Sequence, residues 1–160
     1  METLDILILG SGPAALCLAS ELAKQNLNIK GISTKSPYEK WENTYGIWAS
    51  ELEEFGLASL LSHRWSKTVS YFGDGIKDKG NSPTKHYYDY GLINQEAFQN
   101  ELLKTCKGIQ WLNETAKLIK SENKISEVIC SSGLKLKARL VIDASGHKSK
   151  FIKRPFLKEV

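Results

Sequence analysis

The stretch that decides the fold is LDILILGSGPAA, residues 4–15, in which a short apolar run ends in a glycine-rich turn. Continuous apolar residues such as those near positions 4–9 are typical of a buried parallel strand. Residues 13–25 follow with apolar side chains at helical spacing and a proline in the first turn, where a missing N–H group costs nothing. Residues 28–33 then alternate in polarity and predict a second strand. Strand, tight turn, helix and strand within about 30 residues predict a βαβ unit.

The turn itself matches the pattern G-x-G-x-x-A that binds the diphosphate of a dinucleotide. We expect Gly10 to supply the tight turn and Gly12 to let a diphosphate approach the backbone, while Ala15 keeps the helix close to the strand. The negative charge would then lie against free N–H groups at the helix N-terminus. A glycine turn selected for packing alone is the competing interpretation. The predicted cofactor contacts from this turn are Leu9, Gly10, Ser11, Gly12, Pro13, Ala14 and Ala15.

The end of the second strand departs from the usual dinucleotide-binding pattern. An acidic residue about 20 positions after the turn commonly binds the ribose, but Ser33, Thr34 and Lys35 stand there. The Ser33 hydroxyl or the Glu39 carboxylate could reach a ribose oxygen instead. Alternatively, Lys35 could bind a 2′-phosphate, which would indicate NADP. The residues of this segment leave both possibilities open.

Composition excludes several classes of protein. At 160 residues the chain is one ordinary domain by length, and a net charge of +4 is too small to indicate nucleic-acid binding. Its three cysteines lack C-x-x-C spacing, so we predict neither a metal site nor a redox pair and expect the thiols to fill core positions. We find no signal peptide and no run of roughly 18 apolar residues, so we expect a soluble or at most peripheral protein. Basic residues near the end predict a solvated tail or, as an alternative, a contact to anionic lipid: Lys148, Lys150, Lys153, Arg154 and Lys158.

The remaining pattern predicts further elements around this unit. We expect a loop over residues 36–48, a helix over 49–61, strands over 68–72 and 86–93, and a helix from the cap Asn94 to about residue 107. A strand over 108–112, a three-segment antiparallel meander over 115–137 and a separate apolar strand over 140–144 follow. The predicted fold class is therefore α/β, a Rossmann-like dinucleotide-binding unit with an inserted antiparallel meander, forming one domain over residues 1–160.

The apolar strand leads into Ala144-Ser145-Gly146. A meander followed by a strand ending in A-[ST]-G resembles the second dinucleotide element of two-dinucleotide-type flavoproteins. In those proteins the small residues let the chain pass beside the phosphates of the cofactor. The resemblance therefore adds Ala144, Ser145 and Gly146, with Ser33, to the predicted cofactor contacts, and it favours FAD over NAD(P).

Residues 41–48, WENTYGIW, narrow the family. The pattern W-x-N-x-Y-G-x-W resembles the signature of the plant and cyanobacterial lycopene cyclases, which place it after the second strand. Further matches follow in the family's order, namely Trp65-Ser66, Tyr71, Tyr90-Gly91 and the segment 143–146. The chain departs from the family at Leu92 and Gln95, where the family has arginines that support the cofactor.

The resemblance implies a function without net redox chemistry. Lycopene cyclases protonate a terminal double bond of a linear carotene, and a second double bond attacks the cation before a proton leaves and closes a β- or ε-ionone ring. The family implies reduced FAD as cofactor, NADPH as the source of electrons, and lycopene or a related linear carotene as substrate. It also implies peripheral attachment at the cytoplasmic side of a membrane, a photosynthetic one in cyanobacteria or plastids, and some of the aromatic rings of residues 41–48 against the polyene or flavin.

The resemblance also bounds what this chain contains. The family's acidic proton handler lies in the C-terminal half, so we expect the catalytic acid beyond Val160 and an isolated chain that is inactive. Two alternatives remain: an FAD- and NADPH-dependent oxidoreductase or monooxygenase of the same fold, and a non-catalytic dinucleotide-binding module. Glu51 and Glu53 are not expected to act as an acid pair, because residues two apart on a helix do not share a face. His63, His86 and His147 are interpreted as residues without a catalytic role.

Overall fold

A computed structural model describes residues 2–71, 83–147 and 149–152 of the chain. They form two compact units, residues 1–39 with 99–160 and residues 40–98. The first unit contains most of the regular structure: β1 (Thr3–Leu9), α1 (Pro13–Leu22), β2 (Ile29–Ser33), the end of α3 (Gln95–Thr105), β8 (Gln110–Asn113), β9 (Ala116–Glu122), β10 (Ile125–Cys130) and β11 (Lys135–Asp143). The second contains β3 (Gly46–Trp48), α2 (Ala49–Glu54), β4 (Leu61–Trp65), β5 (Val69–Ser70), β6 (Thr84–Lys85), β7 (Tyr90–Ile93) and the start of α3.

The first unit is built on a six-stranded sheet in the order β8-β2-β1-β11-β10-β9. Strands β8, β2, β1 and β11 run parallel, while β10 and β9 are antiparallel. The predicted βαβ unit is thus confirmed, with β2 beside β1 in a register that pairs Leu9 with Ile32. The α/β, Rossmann-like fold class with an antiparallel meander is confirmed as well.

Alternate residues of β1 face two different hydrophobic layers, as the pleat of a strand requires. Ile6 and Ile8 belong to a buried cluster with Ala15 and Ala19 of α1. Leu7 and Leu9 belong to another cluster that includes Val128 of β10. The side chains of β1 are therefore buried on both faces of the sheet, against α1 on one face and in a cluster shared with β10 on the other, which explains why β1 is apolar at nearly every position.

The meander differs from the sequence prediction in its last strand. We predicted a segment ending at residue 137 and a separate strand over 140–144, but β11 is continuous from Lys135 to Asp143. Its first part pairs antiparallel with β10, and it pairs in parallel with β1 along Thr3 to Leu9. One strand thus joins the meander to the parallel sheet, and a break was expected only because charged residues interrupt the apolar run.

The second unit holds most of the errors in the predicted elements. The helix expected over 49–61 ends at Glu54, because the chain turns at Gly56, whose φ is +69°. Strand β3 was predicted as loop, and no element was predicted over β4 beyond Leu61, the last residue of the expected helix, yet both strands pair with β7. The strand expected over 86–93 is limited to β7, and the predicted helix after Pro13 ends at Leu22 rather than Gln25.

Several predicted features are confirmed locally, and others lie outside the described residues. The Asn94 side chain accepts a hydrogen bond of 3.1 Å from the Ala97 N–H group, as expected of the cap of α3. Cys106 and Cys130 are buried core residues, and burial raises the pKa of each thiol. The end of the strand predicted over 68–72 and the basic residues Lys148, Lys153, Arg154 and Lys158 lie outside the described residues.

The contact between Gly31 and Trp111 predicts a stability effect. A Cβ atom on Gly31 would overlap the Trp111 ring, which packs across β2 from the neighbouring strand β8. We expect Gly31→Ala to lower the free energy of unfolding by about 1–3 kcal/mol, measured by urea denaturation, because overpacking forces the ring to move.

A double variant and a matched control complete this test. Adding Trp111→Leu to Gly31→Ala should return part of the loss, because the smaller side chain makes room. Gly108→Ala is the control, since a Cβ atom there meets no atom of the described residues within 4 Å. Equal losses in Gly31→Ala and Gly108→Ala would contradict the packing argument.

Candidate functional site

The carboxyl ends of β1, β2 and β11 meet at one edge of the sheet, the place where parallel α/β sheets bind ligands. The Gly10 N–H group donates to the Ile32 carbonyl at 2.8 Å, and the Ala144 N–H group donates to the Leu9 carbonyl at 2.9 Å. The structure therefore brings together three segments that the sequence singled out: the glycine turn, the end of β2 at Ser33, and the loop of Ala144, Ser145 and Gly146.

Gly10 has two reasons to be glycine. Its φ of +105° lies in the region that side chains rarely adopt, which confirms the predicted tight turn. A Cβ atom on Gly10 would also lie 2.5 Å from the Ala144 carbonyl oxygen. The second reason was invisible in the sequence, because it depends on β11 returning beside β1.

Gly12 differs from Gly10 in both respects. Its φ of −77° and ψ of −177° are ordinary extended values that any residue adopts. A Cβ atom there would meet no atom of the described residues within 4 Å. Neither backbone conformation nor packing within the described chain requires glycine at this position, so the open space above Gly12 is what the glycine provides.

The N-terminus of α1 faces that space without a capping side chain. Gly12 is the N-cap, Pro13 occupies the first turn, and within the described residues no side chain caps the helix and no acidic residue lies in its first turn. The amide groups there, together with the helix dipole, suit a negatively charged group. Ala15 is fully buried against the sheet and Ala14 is exposed, so Ala15 can serve close packing, as expected.

Ser33 is bound to the glycine turn by its side chain. Its Oγ lies 2.9 Å from the Oγ of Ser11, and the Ser11 hydroxyl donates to the Lys35 carbonyl at 3.0 Å. The Glu39 carboxylate, the other group considered for a ribose, accepts a hydrogen bond of 2.8 Å from the Ser36 N–H group. At the end of β2 the serine hydroxyl, rather than a carboxylate, is thus joined to the turn.

Asp143 fixes the loop that follows β11. Its Oδ1 accepts hydrogen bonds from the Ser145 N–H group at 3.1 Å and the Ser145 hydroxyl at 2.5 Å, and its Oδ2 accepts one from the Ser149 hydroxyl. Burial alone would raise the pKa of Asp143, but the hydrogen bonds from Ser145 and Ser149 outweigh it, so the pKa lies below its usual value. This role of Asp143 was not predicted from the sequence, in which it is the polar residue that ends an apolar strand.

The aromatic segment 41–48 lies in the second unit and pairs with a downstream motif. Gly46 lies opposite Leu92, and Trp48 lies opposite Tyr90, on adjacent antiparallel strands. A Cβ atom on Gly46 would overlap the ring of Tyr90, which explains the glycine. The two motifs that seemed separate in the sequence are therefore one structural element.

Ring contacts extend from this element over the second unit. The centroid of Trp48 lies 5.4 Å from that of Tyr90 and 5.2 Å from that of His86, and Trp65 lies 6.4 Å from Tyr90. Trp41 is buried and packs edge-on against Tyr45 and Phe98, so it is a core anchor of this unit.

The other polar side chains considered from the sequence are either exposed or bonded to neighbours within the second unit. Glu53 forms an ion pair of 2.6 Å with Arg64, and Glu51 is exposed. His86 lies 2.8 Å from the Ser70 hydroxyl, and the Gln95 amide donates to the Asn43 carbonyl.

No group of three or more His, Cys, Asp or Glu side chains within residues 2–71, 83–147 and 149–152 could hold a metal ion. None of the helices in the same ranges is long and apolar enough to cross a membrane.

Comparison with known proteins identifies relatives over almost the whole chain. The sequence model of the family described as lycopene cyclase protein matches residues 5–157. The chain is 44% identical over 153 residues to lycopene beta cyclase of Synechococcus elongatus, covering 94% of this chain and 36% of that protein. It is 31% identical over 147 residues to a chloroplastic lycopene beta cyclase of Arabidopsis thaliana, covering 91% of this chain and 28% of that protein.

Solved structures share the fold at low sequence identity. A variant of the halogenase PltM, determined in complex with FAD, superposes with a TM-score of 0.62 at 16% identity, covering 89% of this chain and 34% of the halogenase. At this identity the similarity shows a common fold.

The Asp143 hydrogen bonds predict a pH-dependent stability. Because the pKa is lowered in the folded state, the contribution is fully present above the unfolded-state value near 4 and is lost as the pH falls through the folded-state value. We expect Asp143→Asn to cost about 1 kcal/mol of unfolding free energy near pH 7. The gap from the parent chain should narrow at about pH 3, measured by urea denaturation. Glu54→Gln, an exposed change, serves as control; an Asp143→Asn gap that is constant with pH would contradict the assignment.

Proposed function

Because the chain belongs to the lycopene cyclase protein family, we propose that it is the N-terminal, dinucleotide-binding part of an enzyme that forms β-rings on lycopene. The chain spans about a third of the length of the curated relatives it matches, for example 36% of the Synechococcus elongatus protein. The names of the two cyclases compared here support the β-ring over the ε-ring. Ring closure by the whole protein is accordingly part of the proposal.

We propose FAD as the cofactor, and the observation that carries this proposal is Gly12. Glycine there serves neither an unusual backbone conformation nor packing, and the uncapped N-terminus of α1 lies beside the open space. A diphosphate fits both features, because it needs close approach to the backbone and N–H donors. The cofactor contacts proposed are Leu9, Gly10, Ser11, Gly12, Pro13, Ala14, Ala15, Ser33, Ala144, Ser145 and Gly146.

These residues differ in what they contribute. Leu9 and Ala144 join the two loops through one backbone hydrogen bond, and Gly10 makes their close approach sterically feasible. Gly12 and the first turn of α1 would contact the diphosphate. Ser33 would contact the ribose, while Asp143 positions the loop of Ala144 to Gly146 without touching the cofactor itself.

The reaction proposed for the whole protein is an isomerisation. A proton adds to a terminal double bond of lycopene, an internal double bond attacks the resulting cation, and loss of a proton completes the ring, so no electrons are consumed. Reduced flavin, when bound, supplies electron density that stabilises the developing positive charge. NADPH would be needed only to reduce the flavin. Lycopene dissolves in membranes, so we also propose peripheral membrane attachment at the cytoplasmic side.

The comparison of Gly10 and Gly12 tests the cofactor site. We expect Gly12→Ala to keep the stability of the parent chain within about 0.5 kcal/mol but to weaken FAD binding by at least about tenfold, because the Cβ atom enters the space for the diphosphate. Gly10→Ala should instead lower stability by about 1–3 kcal/mol through strain and the clash with Ala144. Urea denaturation and quenching of flavin fluorescence on binding are the measurements. Unchanged FAD affinity in Gly12→Ala would contradict the site.

A chimaera tests the activity. Residues 5–157 should replace the matching segment of the Synechococcus elongatus protein, and the product should be expressed in a bacterium that accumulates lycopene. We expect β-ring carotenes to form, and the same chimaera with Gly12→Val to form at least about tenfold less, since the larger side chain blocks the diphosphate. A soluble chimaera that binds FAD but leaves lycopene unchanged would count against the cyclase. Stoichiometric consumption of NADPH would favour an oxidoreductase instead.

A further inference from the structure

We infer that Ser11 and Ser33 together select the 2′-hydroxyl of the cofactor's adenosine ribose and reject a 2′-phosphate. The inference rests on the proposed cofactor site and concerns which adenine dinucleotide that site accepts. The sequence left open whether the end of β2 binds a ribose hydroxyl or a 2′-phosphate. We choose the hydroxyl, which the two serines would bind in place of the usual acidic residue.

The two hydroxyl groups belong to a closed ring of hydrogen bonds. The Ser11 hydroxyl donates to the Lys35 carbonyl at 3.0 Å, because a carbonyl oxygen can only accept. A hydroxyl carries one proton, so in the 2.9 Å contact between the two Oγ atoms Ser33 must be the donor. The Lys35 N–H group in turn donates to the Ser33 Oγ at 3.3 Å. The backbone of Lys35 thus closes the ring, because its carbonyl accepts from Ser11 and its N–H group donates to Ser33.

This ring determines what Ser33 can offer a ligand. Its proton is committed to Ser11, and one of its two lone pairs accepts the Lys35 N–H group. In the parts of the chain that the structure describes, these are the hydrogen bonds of the Ser33 hydroxyl, so one lone pair remains. Toward a ligand, Ser33 is therefore an acceptor only, which is also the property of the carboxylate that commonly stands at this place.

The donor–acceptor pattern distinguishes the two kinds of ribose. A 2′-hydroxyl can donate a proton to the Ser33 lone pair. A 2′-phosphate at neutral pH is largely ionised and presents oxygens that accept, so it would meet the lone pair of Ser33 with no proton between them. Binding a phosphate would require the ring to open.

The charges nearby do not reverse this preference. Lys35 is exposed, so its attraction for a phosphate is weakened by water and salt. The Glu39 carboxylate is exposed as well and accepts the Ser36 N–H group. Ser33 is half-buried, so a hydrogen bond to its hydroxyl is weakened less by water than the attraction of Lys35, and it decides the choice.

Three small ligands measure the selection on the 160-residue chain. ADP, 2′-deoxy-ADP and 2′-phospho-ADP share the diphosphate and the base and differ only at the 2′ position. By calorimetry near neutral pH we expect ADP to bind about tenfold tighter than 2′-deoxy-ADP, the value of one hydrogen bond, and at least about tenfold tighter than 2′-phospho-ADP.

Two variants separate the roles of the serines. Ser33→Ala removes the acceptor, so ADP and 2′-deoxy-ADP should bind equally. Ser11→Ala removes the group that holds the Ser33 proton, so that proton can turn to a phosphate and the penalty against 2′-phospho-ADP should fall to about threefold or less. Ser121→Ala on β9 is the control, because the Ser121 hydroxyl lies 2.8 Å from that of Ser126 in the hairpin at the edge of the sheet. Ratios of affinities within one variant do not depend on how much of the sample is folded.

The outcomes distinguish this inference from the proposed function. Absence of ADP and FAD binding to the folded parent chain would overturn the cofactor site and the inference with it. Binding of ADP with equal or tighter binding of 2′-phospho-ADP would overturn the inference alone. Equal affinities for ADP and 2′-deoxy-ADP in the parent chain would do the same.

Discussion

The contact between Gly10 and the Ala144 carbonyl is the constraint on which the site depends. It joins the glycine turn after β1 to the loop after β11. A Cβ atom added to Gly10 would lie 2.5 Å from the Ala144 carbonyl oxygen. This approach is feasible because β1 and β11 are adjacent parallel strands whose ends coincide at Leu9 and Asp143. A side chain at position 10 would push the two loops apart and remove the edge at which the cofactor is proposed to bind.

The proposed cofactor site at this edge of the sheet combines polar groups from three separate segments. Backbone N–H groups at the start of α1, the Ser33 hydroxyl and the loop held by Asp143 each come from a different segment. The Ser33 hydroxyl is held by Ser11, and the loop after β11 is held by Asp143, both within the first unit. A preorganised arrangement of this kind binds without paying the ordering entropy at each encounter.

The sequence predicted the βαβ unit, the meander and the cap at Asn94 because their signals are local: hydrophobic period, glycine in a turn, a capping side chain. It failed where pairing over long distances decides the structure. Strand β3 has three residues and begins at Gly46, and its pairing with β7 makes it a strand. The serine ring was equally out of reach, since it depends on the register that places Ser33 beside Ser11. Ser33 as a ribose contact stays a prediction, whereas its hydrogen bonds to Ser11 and Lys35 could be learned only from the structure.

The two units depend on different features of the sequence, the first on backbone shape and the second on specific aromatic side chains. The glycine turn and its companion loop depend on backbone shape, and the fold that carries them is shared with a halogenase at 16% identity. The aromatic segment instead depends on specific side chains, because Gly46 is required by the ring of Tyr90 on the neighbouring strand. A change that keeps the first unit intact could therefore retain cofactor binding and lose the family's chemistry, so binding and ring closure have to be measured separately.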